Sequence, residues 1–182
     1  MQRFQNRPTA VAITILVVLL SVLIGAAISL GGLRRTAEQV FERGSDGSWN
    51  GIESDVYDIT SGSYNLITIA ERYLGENDVD IAAVEREIDS VYAARKPGSI
   101  HDAVEELRGA INGLDQTLRA QDLSEEDKAL LIKTIADIEA SYRKIDRSDY
   151  NDIAREFNDK LKPFPANVLS GIVGVEPLEL YE

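Results

Sequence analysis

His101 is the only histidine in the chain and cysteine is absent, so the usual nucleophiles, bases and soft metal ligands are almost missing. His101 stands near the start of a helical stretch among charged neighbours, the setting of a surface residue rather than of a ligand or base. Carboxylates are plentiful, in pairs such as Glu85/Asp89, Glu105/Glu106 and Glu125/Glu126. Paired carboxylates can serve acid–base chemistry or hold a hard cation, but in so acidic a chain most belong on solvated helix faces. A zinc site would need mostly carboxylates, which suits that metal badly. Asp78-Val79-Asp80 lacks the later ligands and the turn glycine of a calcium loop. No phosphate loop and no Gly-x-Ser-x-Gly elbow occurs. These residues point to a chain without catalytic, cofactor or metal site, and so to a non-enzyme.

The elements that would position any site begin with an apolar run. From Pro8 to Leu33 there is no charged side chain, and Val11–Leu33 is mostly Val, Leu, Ile and Ala. At about 1.5 Å per residue this run covers roughly 35 Å, enough to cross a hydrocarbon core of about 30 Å with some tilt. A cleaved signal peptide is the competing reading, with Ala27-Ile28-Ser29 as its cleavage site, although an h-region is only about 7–15 residues long. A buried core helix is the other. The partner expected of residues 11–33 is therefore the lipid bilayer. Lys and Arg beside the run do not set its orientation: Arg3 and Arg7 precede it, and Arg34, Arg35 and Arg43 follow. Ser21, Gly25 and Ser29 share one face, a helix-association pattern that would suit a homo-oligomer. Small residues merely tolerated in lipid give the same pattern.

Beyond Leu33 the chain carries 17 basic against 31 acidic residues, a net charge of −14. That balance disfavours nucleic acid and anionic head groups as partners. Apolar residues recur at helical spacing. Ile52, Val56, Ile59, Ser63, Leu66, Ala70 and Tyr73 form a heptad seam of the coiled-coil kind, ended by Gly75-Glu76-Asn77-Asp78. Ile81, Val84, Ile88 and Val91 mark a second helix, and Lys96-Pro97-Gly98 breaks the chain. Ser99 and Asp102 resemble a capping box before Ile100, Val104, Leu107, Ile111, Leu114 and Leu118. Ser124-Glu125-Glu126-Asp127 starts a fourth helix through Leu131, Ile135, Ile138, Tyr142 and Ile145, continuing over Tyr150, Ile153, Phe157 and Leu161 to Lys162-Pro163. No stretch alternates with period two for long enough to argue a sheet. The expected fold is all-α: a transmembrane helix, then an antiparallel up-down-up-down bundle of four long helices.

The expected organisation is a short polar N-terminus (1–10), the anchor (11–33), a juxtamembrane linker (34–47), the bundle (48–162) and an apolar C-terminal tail (163–182). Gly44 and Gly47 weaken a continuous helix across the linker, as a hinge or as frayed helix. The fourth helix, about 124–161, would be roughly 57 Å long against about 40 Å for the first, 48–74. In an antiparallel bundle its excess would bring Tyr150–Leu161 beside the linker and start the tail near the membrane. The tail segment from Phe164 to Val175 is too short and too rich in Gly and Pro to span a bilayer. It must pack on the bundle, lie at the interface or bind a partner.

Asp149-Tyr150-Asn151, Arg155-Glu156-Phe157-Asn158, Phe164-Pro165-x-Asn167, Gly171 and Gly174 resemble the C-terminal signature of the LemA family. Trp49, Ile52-Glu53, Val56, Asn65-Leu66-Ile67 and Tyr73 fall in that family's order, and Val91 with Ala94-Arg95 echoes a later segment. The chain departs from the family's pattern in Asp58-Ile59 and Gly62-Ser63-Tyr64-Asn65-Leu66, which replace a basic pair and a Leu-Ile-Pro-Asn-Leu run. It looks like a divergent member. The resemblance implies a bacterial inner-membrane protein with one N-terminal span and a helical-bundle domain, the side of that domain unresolved, and no shared biochemical activity.

The signature reads physically as a docking device. Tyr150, Ile153 or Ala154, and Phe157 line one helix face, Pro163 and Pro165 stop the helix, and Asn151, Asn158 and Asn167 can bond the backbone freed there. Tyr150, Asn151, Arg155, Phe157, Asn158, Phe164, Pro165, Asn167, Gly171 and Gly174 are the candidate partner-binding or tail-docking residues. The function expected is a membrane-tethered scaffold or adaptor for another envelope protein. The alternative is a regulatory subunit of a membrane-bound enzyme or protease.

Overall fold

The heptad-spaced apolar residues fold as helices, and the computed structural model, which describes residues 7–45, 51–75 and 78–182, has no strand among them. Gly47, Trp49 and the Glu76-Asn77 part of the first turn signal lie outside the described residues. Seven helices occur among the described residues: α1 Arg7–Arg43, α2 Ile52–Ala70, α3 Val79–Ala93, α4 Pro97–Arg119, α5 Glu125–Ile145, α6 Tyr150–Leu161 and α7 Ala166–Val173. They divide into two compact units, Met1–Glu38 with Asp152–Leu178, and Gln39–Asn151 with Glu179–Glu182.

The second unit is the all-α bundle. Helix α2 packs chiefly on α5 and α3 on α4, with smaller contacts of α2 to α3 and α4. Contacts at the helix ends fix the antiparallel order. Arg72 and Tyr73, just past α2, reach Asp127 at the start of α5. Lys144, at the end of α5, reaches Asp55 at the start of α2. Thr117 donates to Asp80 between α4 and α3. Ile52, Ile59, Leu66, Ile81, Val84, Ile88, Leu107, Leu114, Leu118, Leu131 and Ile138 are at most 2 % exposed, so the seams read from the sequence face one core. Ser63, the polar member of the α2 seam, is buried and returns its hydroxyl to Ile59 O at 2.8 Å, which satisfies it locally. Gly62 lets α5 approach: a Cβ there would stand 2.6 Å from Ile138 Cγ1.

Local chemistry moves three expected boundaries. Helix α4 begins at Pro97, pre-set for the first helical position, and Ser99 Oγ accepts the Lys96 N–H at 3.1 Å. The Ser99/Asp102 capping box is therefore replaced by Ser99 serving Lys96, three residues earlier. The stretch 124–161 is two helices rather than one. Asp146-Arg147-Ser148-Asp149 offers no apolar residue to the core. There Arg147 and Ser148 N–H turn back to Lys144 O and Ile145 O at 3.1 and 2.9 Å, and Ser148 Oγ accepts the Tyr150 N–H at 3.3 Å. Helices α2 and α5, about 28 and 31 Å long, are thus matched in length. The third boundary is the linker, which is helical to Arg43. Gly44 ends α1 at φ 74, its N–H on Val40 O at 2.9 Å, a left-handed stop that glycine adopts without strain. Gly51, the N-cap of α2, abuts that stop, since an added Cβ would lie 2.4 Å from Phe41 O.

In the first unit, α1 is long and apolar enough to cross a membrane, and none of its most apolar window is buried inside the protein. A core helix is thereby excluded. Val11, Ile24 and Ile28 are 58 %, 60 % and 71 % exposed. The same unit holds most of α6 and all of α7. Ala154, Phe157 and Leu161 are buried along one face of α6 and Ile153 is half-buried, so Ala154 is the core member of that pair.

Candidate functional site

Asn151 and Asn158 each hold backbone of the C-terminal residues. In the first unit, Asn158 Nδ2 donates to Leu178 O at 2.8 Å, and Leu178 N–H donates to Asn158 Oδ1 at 2.7 Å. In the second unit, Asn151 Nδ2 donates to Tyr181 O at 2.8 Å, and Tyr181 N–H donates to Asn151 Oδ1 at 2.8 Å. Each side chain thus satisfies both polar groups of one extended residue, as a strand neighbour would. Seven residues apart on α6, the asparagines bracket two helical turns, matching the spacing of one helix face.

Around Tyr181 the second unit builds a closed setting. Tyr150, 1 % exposed, donates its hydroxyl to Glu179 O at 2.6 Å, and its ring meets Phe41 edge-on at 5.0 Å. The Tyr181 ring lies 6.1 Å from Phe41 and 5.1 Å, edge-on, from His101. Lys96 Nζ is 3.5 Å from Glu179. Burial pushes the Tyr181 phenol up, with Glu105 and Asp146 adding to the effect, so it is a neutral packing group. His101 is one-third exposed and meets this tail.

The remaining candidates separate. Phe157 is buried in the first unit, and Arg155 is exposed, 3.6 Å from Asp152. Phe164 is 82 % exposed, and Pro165 precedes α7 as its N-cap. Asn167 is exposed, and its backbone N–H, rather than its side chain, meets the break, on Pro163 O at 3.1 Å. Gly171 is exposed, and Gly174 closes α7 at φ 72. Leu178 and Tyr181, the residues actually gripped, are not among the candidates read from the sequence. Their signal is slight, since Leu178, Leu180 and Tyr181 are all apolar among Glu176, Glu179 and Glu182.

Two further surfaces belong to the second unit. An open groove of about 560 Å³ lies between α2 and α5, floored by Gly62 and Ile138. Its basic side chains are paired: Lys133 with Asp137 at 2.7 Å, Lys144 with Asp55 at 3.0 Å, and Arg72 with Asp127. Burial pushes the Asp55 carboxyl up against the opposing effect of Lys144. Hydrogen bonds from Tyr73 and Ser124, with Arg72 beside it, hold the Asp127 carboxyl below its usual range. A smaller, apolar cleft of about 240 Å³ is lined by Phe41, Val56, Tyr57, Val91, Tyr92 and Ile100. Tyr57, Tyr64 and Tyr92 are 65 %, 47 % and 50 % exposed. Tyr92 hydroxyl stands 3.5 Å from Thr60 Oγ1.

Among the described residues no group of three or more His, Asp or Glu is placed to hold a metal ion. No family model matches the chain, and no curated protein matches it.

Proposed function

We propose that this chain is a membrane-tethered adaptor, LemA-like and bacterial, whose helical bundle presents a docking face to another envelope protein and performs no catalysis. The observation that carries the reading is the apolar cleft flanked by Tyr57 and Tyr92, with Tyr64 also exposed. Tyrosines of this kind dominate protein–protein interfaces, because a rigid ring buries much area for little lost freedom and its hydroxyl stays wet. Helix α1 supports the tether: it would confine the bundle to a layer and raise its effective concentration for neighbours there. Docking of the tail by Asn151 and Asn158 agrees with a structural role for the LemA-like signature.

A photo-crosslinking side chain placed at Tyr57 or Tyr92 in cells, against one at exposed Lys133, tests the reading. One discrete heavier adduct at Tyr57 and Tyr92, absent at Lys133, is expected. No adduct at either tyrosine, or the same diffuse pattern at all three, would refute it. If the adduct is a membrane-bound enzyme whose activity changes with Tyr57→Ser and Tyr92→Ser, the chain is its regulatory subunit rather than a passive adaptor.

A further inference from the structure

Helix α7 has an outer face that nothing in its own unit covers. Val168 and Ile172 fall four residues apart on one side of α7 and are 50 % and 61 % exposed, and Phe164, two residues before the helix, is 82 % exposed. On the opposite side Ser170 is 7 % exposed, and Ala166, Leu169 and Val173 are half-buried. From Pro163 to Val175 no residue is charged. An apolar strip of this kind in water calls for a partner.

Its place in the first unit says which. Arg34 follows Leu33, the last residue of the apolar run, and its Nη1 donates to Glu176 O at 3.3 Å. Glu176 is three residues beyond the end of α7, so Val173 lies within about 11 Å of that contact. The headgroup layer on each side of a bilayer is roughly 5–8 Å deep. On α1, Leu23, Ala26, Leu30 and Arg34 are half-buried along one face while most of their neighbours are exposed. With eight residues, α7 is about 12 Å long, far short of a span.

We infer that α7 is a second membrane contact, lying in the headgroup boundary of the bilayer where α1 emerges at Arg34, with Phe164, Val168 and Ile172 turned to the hydrocarbon. This rests on the proposed tethering by α1 and deepens it: the anchor becomes one spanning helix and one interfacial helix. Such helices bind through their buried apolar face. Here the spanning helix already holds α7 at the surface, so its own short face need not supply the affinity.

The absence of native cysteine makes the test direct. The full chain carrying Leu20→Cys, Val168→Cys, Ile172→Cys or Asp122→Cys is labelled with an environment-sensitive fluorophore and reconstituted into phosphatidylcholine vesicles. Nitroxide lipids then quench at shallow or deep acyl positions. Labels at Val168 and Ile172 should emit to the blue and be quenched by the shallow nitroxide at least about threefold more than the Asp122 label. The Leu20 label should be quenched by the deep one. If Leu20 is quenched while Val168 and Ile172 behave as Asp122, the inference about α7 fails and the anchor stands. An unquenched Leu20 label overturns the anchor and this inference together. Blue-shifted labels at Val168 and Ile172 that no lipid quenches would assign the face to a protein, a second copy included, and overturn the bilayer as its occupant.

Discussion

Replacing Asn151 with alanine removes both hydrogen bonds to Tyr181, each 2.8 Å long, and leaves a largely buried N–H and C=O without them. At about 1 kcal/mol net for each bond, the docked state of the last residues loses about 2 kcal/mol. An opening equilibrium should then rise about 30-fold. The Tyr150–Glu179 bond and the packing of Tyr181 on Phe41 and His101 remain, so the bundle stays folded and only the end loosens. Amide exchange followed on the full chain in detergent micelles reads this directly, because the Tyr181 N–H is itself one of the two donors. The Tyr181 amide should exchange about 30-fold faster in Asn151→Ala, while amides of the α2 and α4 cores keep their rates. Lys160→Ala, which removes only an exposed pair with Glu156, should change nothing. If the Tyr181 amide exchanges within about twofold of its original rate in Asn151→Ala, the side chain is not what holds the end, and the docking role of the signature is wrong.

Three other outcomes follow from packing and charge. Gly51→Ala sets a methyl 2.4 Å from the Phe41 carbonyl oxygen. Backbone cannot swing aside, so a stability loss of about 1–3 kcal/mol is expected, read as a lower thermal unfolding midpoint. Leu114→Ala, at a fully buried position, should cost about 2–5 kcal/mol in urea unfolding, whereas Tyr57→Ala should stay within about 0.5 kcal/mol. Asp127 and Asp55 should act in opposite senses on acid stability. The Asp127 carboxyl is held below its free value, so its contribution is complete above the unfolded pKa and is lost as pH falls through the folded one. Asp55 is raised, so the unfolded state releases its proton first and stability declines as pH rises through its range. Midpoints measured from pH 6 to pH 2.5 should show a flatter acid limb for Asp127→Asn and a steeper one for Asp55→Asn.

How much of this is legible in the sequence depends on the range of the interaction. Seams such as Ile52, Val56, Ile59 and Leu66 declare a buried face within one helix, because the period alone selects the residues that share it. Asp78 and Ser124 announce helix starts, each accepting an N–H two or three residues on. The break at 146–149 shows in the sequence only as the five-residue step from Ile145 to Tyr150, because Tyr142–Ile145 before it and Tyr150–Ile153 after it each keep helical spacing. Periodicity reports which face is buried, whereas continuity depends on backbone bonds that Ser148 diverts. Asn151 and Asn158 stand out in the sequence, but their partners do not: Leu178 and Tyr181 are gripped through backbone atoms, which leave no trace in residue type. Gly51 is silent for a related reason, since only the three-dimensional approach of Phe41 makes a side chain impossible there. For Phe164, Val168 and Ile172 the pattern is visible as an apolar tail, and which of them stay uncovered requires the fold.

Helix α2 has its principal partner far downstream. The bonds that close it onto α5 join residues 55 and 89 positions apart, whereas α3 and α4 are joined by three residues. During synthesis at about 5–20 residues per second, α2 therefore waits roughly 3–18 s for the face that will cover Ile59 and Leu66. In that interval α3 and α4 can already pair as a hairpin, and the unpaired apolar stripe of α2 follows closely upon the apolar run of α1. The order of manufacture makes α2 the segment on which a nascent-chain chaperone has most to do, and α5 the element whose arrival ends that exposure.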